Sequence, residues 1–261
     1  MTASPIATDT TKADRFEYVI RLADDALILS HRVAEWASWA PQLEEDMALA
    51  NIGLDLLGQA RLLLTYAGEI EGEGNTEDDL AFLREEQEFR SIWLVEEPSL
   101  HEYNKLIAQL FYFSAYYVPL LERLASSVDR TLAEIAVKSL KEARYHLEHA
   151  AGWVVRLGDG TEESRAKMQQ AVDHLWPLTG DAFDVDPVVE RLAATGVVPH
   201  PGTVRPVWDR TVDAVLAEAT LTKPERAQRV GSGRQGLHSE HLGFVLAEMQ
   251  YIHRLHPDAQ W

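Results

Sequence analysis

The chain has 261 residues, 46% of them hydrophobic, and a formal net charge of −18; this length and apolar content support a sizeable core and exclude a disordered tail as the whole protein. Cysteine is absent, which excludes disulfides, thiolate nucleophiles, iron–sulfur ligation and Cys-type zinc sites and fits a reducing, cytoplasmic setting. With no basic cluster, the acidity argues against nucleic acid and anionic membranes as partners; it suits a solvated surface or a docking face for a more basic protein.

Residues 1–13 are rich in Thr, Ala and Asp and lack an apolar secretory segment, so they are expected to form a flexible tail before a single helical domain at 14–261. Helix one is predicted from Arg15 to Trp39, with Phe16, Val19, Ile20, Ala23, Ala26, Leu27 and Ser30 on one inward stripe and Pro41 as its stop. Helix two is expected from Leu43 to Glu69, ended by Gly72-Glu73-Gly74-Asn75, with a shorter helix near Glu77 to Glu88. Helix three spans Leu100 to Ser126 with a kink near Pro119; its run Leu110 to Leu121 is the closest approach to a membrane span and is too short for one. Phe111, Tyr112, Phe113, Tyr116 and Tyr117 on that helix suit core packing or half of a subunit interface. Asp129 is the expected N-cap of helix four, which ends at Gly158-Asp159-Gly160. Shorter helices follow near Glu162–Leu178, Pro187–Thr195, Pro206–Ala219 and Leu237–His256, with a loop at Pro199–Pro206 and a break at Gly231-Ser232-Gly233. Four long helices with short connections read as an all-α bundle with additional C-terminal helices.

A long-helix bundle invites a test for a carboxylate-bridged di-iron centre. Such a centre takes one Glu from each of two helices and Glu-x-x-His from each of the other two, because the three-residue step puts carboxylate and imidazole on one helix face. The chain has ten histidines, and none is preceded three residues earlier by Asp or Glu. In helix two the ligand positions read Leu56 and Gln59; leucine cannot bind iron and an amide is a poor substitute for imidazole. In helix four Ala143 holds the carboxylate position before His146, with Glu142 beside it. Glu35 is expected inside helix one, beside Trp36 and Trp39, at the place of the first bundle carboxylate. These positions read as a degenerate metal site or as a buried hydrogen-bond network among Glu, His and Arg. The pairs His146/His149, His238/His241 and His253/His256 have zinc-like spacing but no evident further ligands. Phosphate-binding, dinucleotide-binding and serine-nucleophile motifs are absent.

Leu43-Glu44-Glu45-Asp46-Met47 through Gly58-Gln59-Ala60-Arg61, Lys141-Glu142-Ala143-Arg144-Tyr145-His146-Leu147, Lys167-Met168-Gln169-Gln170-Ala171, and Gly236-Leu237-His238-Ser239-Glu240-His241 with Leu246-Ala247-Glu248-Met249-Gln250-Tyr251 carry a resemblance. They resemble the PaaC-type subunits of phenylacetyl-CoA 1,2-epoxidases, bacterial multicomponent oxygenases, and the likeness spans nearly the whole chain. The resemblance implies a ferritin-like fold and a non-catalytic structural subunit without a cofactor of its own. It implies a di-iron centre in a paralogous catalytic partner, and a reductase with FAD and iron–sulfur that brings electrons from NADPH. It also implies a hetero-oligomer, or a homodimer when the chain is alone, at the border of the acyl-CoA site. The segments taken for that border are Glu88-Phe89-Arg90-Ser91 and Glu190-Arg191-Leu192, whose arginines suit phosphate oxygens or else surface ion pairs. Two competing readings are an autonomous ferritin-like metal protein with an unusual ligand set and a helical adaptor unrelated to oxygenases.

Overall fold

In the computed structural model, residues 5–229, 231, 233–256 and 259 are described, with side chains from Thr11 onward. Expectations that fall on Met1–Ser4, Ser232 and Trp261 lie outside the described residues. The described residues contain helices and no strand. Helix α1 (Pro5–Ala34) and α2 (Leu43–Glu71) form one antiparallel hairpin; α5 (Tyr103–Leu124) and α6 (Arg130–Gly158) form a second; and α2 lies against α6. The result is a ferritin-like helical bundle with further helices packed on it. Between the hairpins run α3 (Glu77–Phe82) and α4 (Trp93–Glu96); after them come α7 (Glu162–Leu175), α8 (Pro187–Ala194), α9 (Pro201–Glu218) and α10 (Leu242–Leu255).

Several boundaries differ from expectation. The first helix begins at Pro5, so residues 5–13 are its opening turns rather than a separate tail, and Lys12 donates to the Glu71 carbonyl. It ends at Ala34, short of Trp39, because Ser38 takes a left-handed φ of 71° and turns the chain. Glu35 therefore sits in the turn beyond α1, not inside it. The expected helix at 77–88 stops at Phe82 and resumes only as a short 3₁₀ turn, since Arg84 and Arg90 are drawn inward to Asp24. Helix α9 starts at Pro201, not Pro206, with His200 as its cap; the first proline occupies a position whose N–H has no helical acceptor. Helix α10 starts at Leu242, five residues later than expected, because His238 and Ser239 are tied to Glu96. Asp129 caps α6 as expected, accepting from Leu132 N, and also pairs with Arg15 of α1 and Tyr66 of α2.

Helix α5 is buried on every side, flanked by α4, α6, α7 and α9. That accounts for its unbroken apolar run, and its aromatic residues are core. Tyr112 packs with Trp176 and Trp208, their ring centroids 6.0 Å from its own. Against expectation, one helix among the described residues is long and apolar enough to cross a membrane by length and composition. It is α2, whose inner face is buried in the bundle from Leu49 to Ile70.

Two buried clasps hold the later segments to the bundle. Asp24 and Asp25 of α1 are both buried. Asp24 accepts from Arg84 and from Arg90 N; Asp25 accepts from Ile92 N and takes both terminal nitrogens of Arg234 at 2.6 and 3.0 Å. Burial, the largest single influence, would lower the Arg234 pKa, but Asp25 together with Tyr116 and Asp181 outweighs it and the net shift is upward. The second clasp is Glu96, whose fully buried carboxylate meets His238 Nδ1 at 2.7 Å, Ser91 Oγ at 2.9 Å and Ser239 N at 2.8 Å. Removing one partner of such a pair strands the other in a low dielectric. His238→Ala is expected to cost about 3 kcal/mol in urea unfolding, whereas a loss under about 0.5 kcal/mol would show the clasp to be idle.

Candidate functional site at the centre of the bundle

The four positions singled out on α2 and α6 all face the interior. Leu56, Gln59, Ala143 and His146 are each no more than 2% exposed. The helices run antiparallel here, so Gln59 meets Glu142 and Asp55 meets His146, one turn apart along the seam. Gln59 Nε2 donates to Glu142 Oε2 at 2.8 Å, and His146 Nε2 lies 3.0 Å from Asp55 Oδ2. The Gln59 side-chain carbonyl is left without a partner. Farther along, His149 Nε2 stands 3.3 Å from Glu45 Oε2, and Glu45 also accepts from Tyr103 OH at 2.9 Å.

This arrangement decides what the acids can do. Asp55 and Glu142 each sit one residue before the interior positions Leu56 and Ala143. One residue is a rotation of about 100° around a helix, so both carboxylates turn from the bundle axis toward the half-exposed seam. Each then bonds to one neutral or cationic neighbour across the seam instead of converging on a shared ion. Glu35, beyond the end of α1, pairs with Arg32 at 2.6 Å. Among the described residues no three His, Asp or Glu side chains form a group able to hold a metal. The donors present therefore do not fit a di-iron centre. The His-x-x-His pairs divide in the same way: His146 and His149 go to separate carboxylates, His238 to Glu96, and His241 lies 3.9 Å from Glu97, while His253 stacks on Phe82.

The two segments expected to border the acyl-CoA lie on either side of the start of α1. Arg90 pairs with Glu17, Glu17 with Arg21, and Arg21 with Asp186, so an ion chain crosses the helix between them. Arg191 makes a two-bond pair with Asp14 at 2.6 and 2.7 Å. Phe89, Ser91 and Leu192 are buried, with Ser91 spent on Glu96; Glu88 bonds back to Glu85 N, and Glu190 is exposed. The groove beside Arg90, about 320 Å³, is lined by Glu17, Glu71, Asp79 and Glu88 as well as Arg84 and Arg90. Its carboxylates outnumber its cations, and each cation is already engaged, which disfavours phosphate there.

Sequence reading overlooked Asp55, Glu45 and the pair Asp24-Asp25. The signal was present: two adjacent aspartates inside the apolar window Leu22–Leu29, and an aspartate inside Leu54–Leu57, must be bonded or expel water at a cost.

The family model described as phenylacetic acid catabolic protein, PaaA_PaaC, matches residues 1–261. The chain belongs to that family. It is also 50% identical over 245 residues to a subunit of the 1,2-phenylacetyl-CoA epoxidase of Escherichia coli strain K12, covering 94% of this chain and 98% of that one. In this family member the seam histidines are poised below their ordinary titration range. Burial lowers the pKa of His146, with Asp55 pulling only partly back up, and burial likewise lowers His149 and His31. In the unfolded chain these imidazoles take up protons as the pH falls through about 6.5; folded, they do so only at lower pH. The unfolded state thus binds more protons in that window, and the histidine contribution to stability falls as the pH falls. Asp25, raised to about 6 by burial, and Asp181, also raised, act the opposite way in the same window, so the histidine contribution is read as a difference. Between pH 7 and pH 5 the melting temperature of His146→Gln is expected to fall less, or rise more, than that of the wild type, and equal slopes would contradict this.

Proposed function

We propose that the chain is the non-catalytic structural subunit of a multicomponent bacterial oxygenase that epoxidises the aromatic ring of phenylacetyl-CoA in phenylacetate catabolism, and that it pairs with and braces a paralogous di-iron catalytic subunit. The observation that carries the reading is the closed interior of α2 and α6: Leu56 and Ala143 fill it, while Gln59–Glu142 and Asp55–His146 bond to each other. A bundle with several ligand carboxylates inside depends on metal to neutralise them. This one has replaced two such groups with apolar side chains and turned its remaining acids aside, so it holds its shape unaided. The epoxidase relative at 50% identity supports placing the chain in that assembly.

On this reading the redox cofactors belong to other chains: iron to the catalytic partner, FAD and iron–sulfur to an NADPH-dependent reductase. The absence of cysteine here is in keeping with that division. Any contact with acyl-CoA phosphates at Arg90 or Arg191 would require the partner to displace Glu17 or Asp14 from them. A cytoplasmic assembly of this chain with catalytic and reductase subunits is the proposed working form.

The test is co-expression with the catalytic subunit followed by metal analysis and activity measurement on each component. Expected is well under one iron per purified chain, an inactive or unstable catalytic subunit alone, and restored phenylacetyl-CoA oxidation when the two are combined. Stoichiometric iron together with ring oxidation by this chain alone would overturn the proposal in favour of an autonomous metal enzyme.

A further inference from the structure

Residues 233–241 form a strap that leads into α10 and is fastened to the bundle at several points. Arg234 is held by Asp25, Trp93 Nε1 donates to the Leu237 carbonyl at 2.9 Å, and Arg32 donates to the His241 carbonyl at 3.2 Å. His238 fastens the middle. Its side chain has no solvent exposure, and each ring nitrogen meets an oxygen. Nδ1 lies 2.7 Å from Glu96 Oε1, and Nε2 lies 3.0 Å from the Phe89 carbonyl oxygen. A backbone carbonyl only accepts, so Nε2 carries a proton. A neutral imidazole has one N–H, which would leave the Nδ1 lone pair against a carboxylate oxygen. Both contacts are satisfied together when the ring carries two protons.

Glu96 could supply the second proton only by giving up its own charge, and its surroundings hold it charged. Ser91 Oγ donates to Oε1 at 2.9 Å, Ser239 N donates to Oε2 at 2.8 Å, and the Arg32 guanidinium lies on the Glu96 backbone carbonyl at 2.6 and 2.9 Å. Hydrogen bonds to the charged form and a nearby cation both favour the carboxylate. From the 3₁₀ segment Trp176–Phe183 comes Asp181, which feels the Glu96 charge, and next to Glu96 stands Glu97, paired with Lys105 of α5 at 2.7 Å. Glu88 and Arg90 flank Phe89, and the strap itself brings Arg234, Glu240 and His241. The arginines are answered, Arg32 by Glu35, Arg90 by Glu17 and Arg234 by Asp25, so the remaining acids add to a field that favours a cationic ring.

We infer that His238 is a buried imidazolium in the native protein at neutral pH, and that loss of one ring proton releases the strap at residues 237–241. A free histidine side chain is mostly neutral above about pH 6.5, so the fold keeps a proton that the free side chain sheds. Without it, one ring nitrogen faces an oxygen lone pair to lone pair, and both groups are left buried and unbonded. Arg234 does not deprotonate in proteins, so the strap stays pinned at that end. Gly236, in the left-handed region at φ 78°, lies between the pinned part and the released part. Helix α10 stays in place, because Gln250 and Arg254 bond it to the carbonyls of Ala81, Phe82 and Leu83. The device is a local opening that answers to rising pH and uncovers Glu96 and Ser91. It belongs to the chain alone and does not depend on a role beside a catalytic subunit.

The test is magnetic resonance of the ring nitrogens and their protons in the purified full chain carrying isotope-labelled histidine. Expected at about pH 8 is a ring with both nitrogens protonated, absent in His238→Gln. Should that variant fail to fold, the wild-type ring is assigned through its proximity to protons of Phe89 and Ser91. Raising the pH to about 10 should neutralise the ring and speed hydrogen exchange at the Ser239 amide, which Glu96 holds, at least about tenfold beyond the rise shown by amides of α5. A His238 ring that is neutral at about pH 8 would overturn the inference. So would a Ser239 amide that keeps step with those of α5 while the ring loses its proton, or a strap that opens while the ring stays charged.

Discussion

Asp24 and Asp25 stand side by side on α1 without access to water, and the outer half of the molecule is arranged to answer them. A buried carboxylate is tolerable only when paired and hydrogen-bonded. Asp24 recruits Arg84 and the backbone of Arg90; Asp25 recruits Arg234 and the backbone of Ile92. Two consecutive residues of one helix thereby fix the loop after α3 and the segment before α10. Arg234 also donates to the carbonyls of Arg21 and Arg90, so the two recruited segments are tied to each other as well as to the bundle. Glu96 repeats the device with His238 one layer away.

The same rule operates in the bundle centre with a different outcome. Where a ferritin-like metal centre gathers acids on the axis, this chain keeps acids near those heights but one residue out of phase. The resulting rotation is enough to aim Asp55 and Glu142 at His146 and Gln59 across the α2–α6 seam. Leucine and alanine then occupy the axis itself. On the proposed reading, hydrogen bonds from Gln59 and to His146 stand where ligation to an ion would otherwise hold these acids, and apolar packing supplies the cohesion. A fold shared with oxygen-activating bundles is in this way compatible with a supporting role, since fold alone does not carry chemistry.

The fold was largely legible in the chain. Three- and four-residue apolar spacing located the four long helices, Asp129 marked one start, and the glycine cluster after Glu71 marked one stop, with Gly72 adopting the left-handed cap at φ 70°. Positions 56, 59, 143 and 146, singled out by the missing acid-x-x-His pattern, lie buried on α2 and α6. Less legible were the partners. Nothing local in Glu142 says that it will meet Gln59, which is 83 residues distant, nor in Glu96 that it will meet His238, 142 residues on. Glu35 was misplaced because a backbone turn at Ser38, and not Pro41, ends α1. Arg90 and Arg191 looked available for phosphate because their carboxylate partners come from α1, far away along the chain.

By itself, then, the sequence determined the all-α class, the lengths of the main helices, the absence of thiol chemistry and the loss of the metal-ligand spacing. These depend on periodicity and on residue type, which act within a few turns of a helix. Only the tertiary structure decided which charges neutralise which, that α5 is wrapped on all sides while α2 keeps an uncovered apolar edge, and that the two arginine segments flank one helix. Those outcomes depend on pairing between groups that the chain brings together from a distance, and a buried charge accepts whichever partner the packed helices deliver.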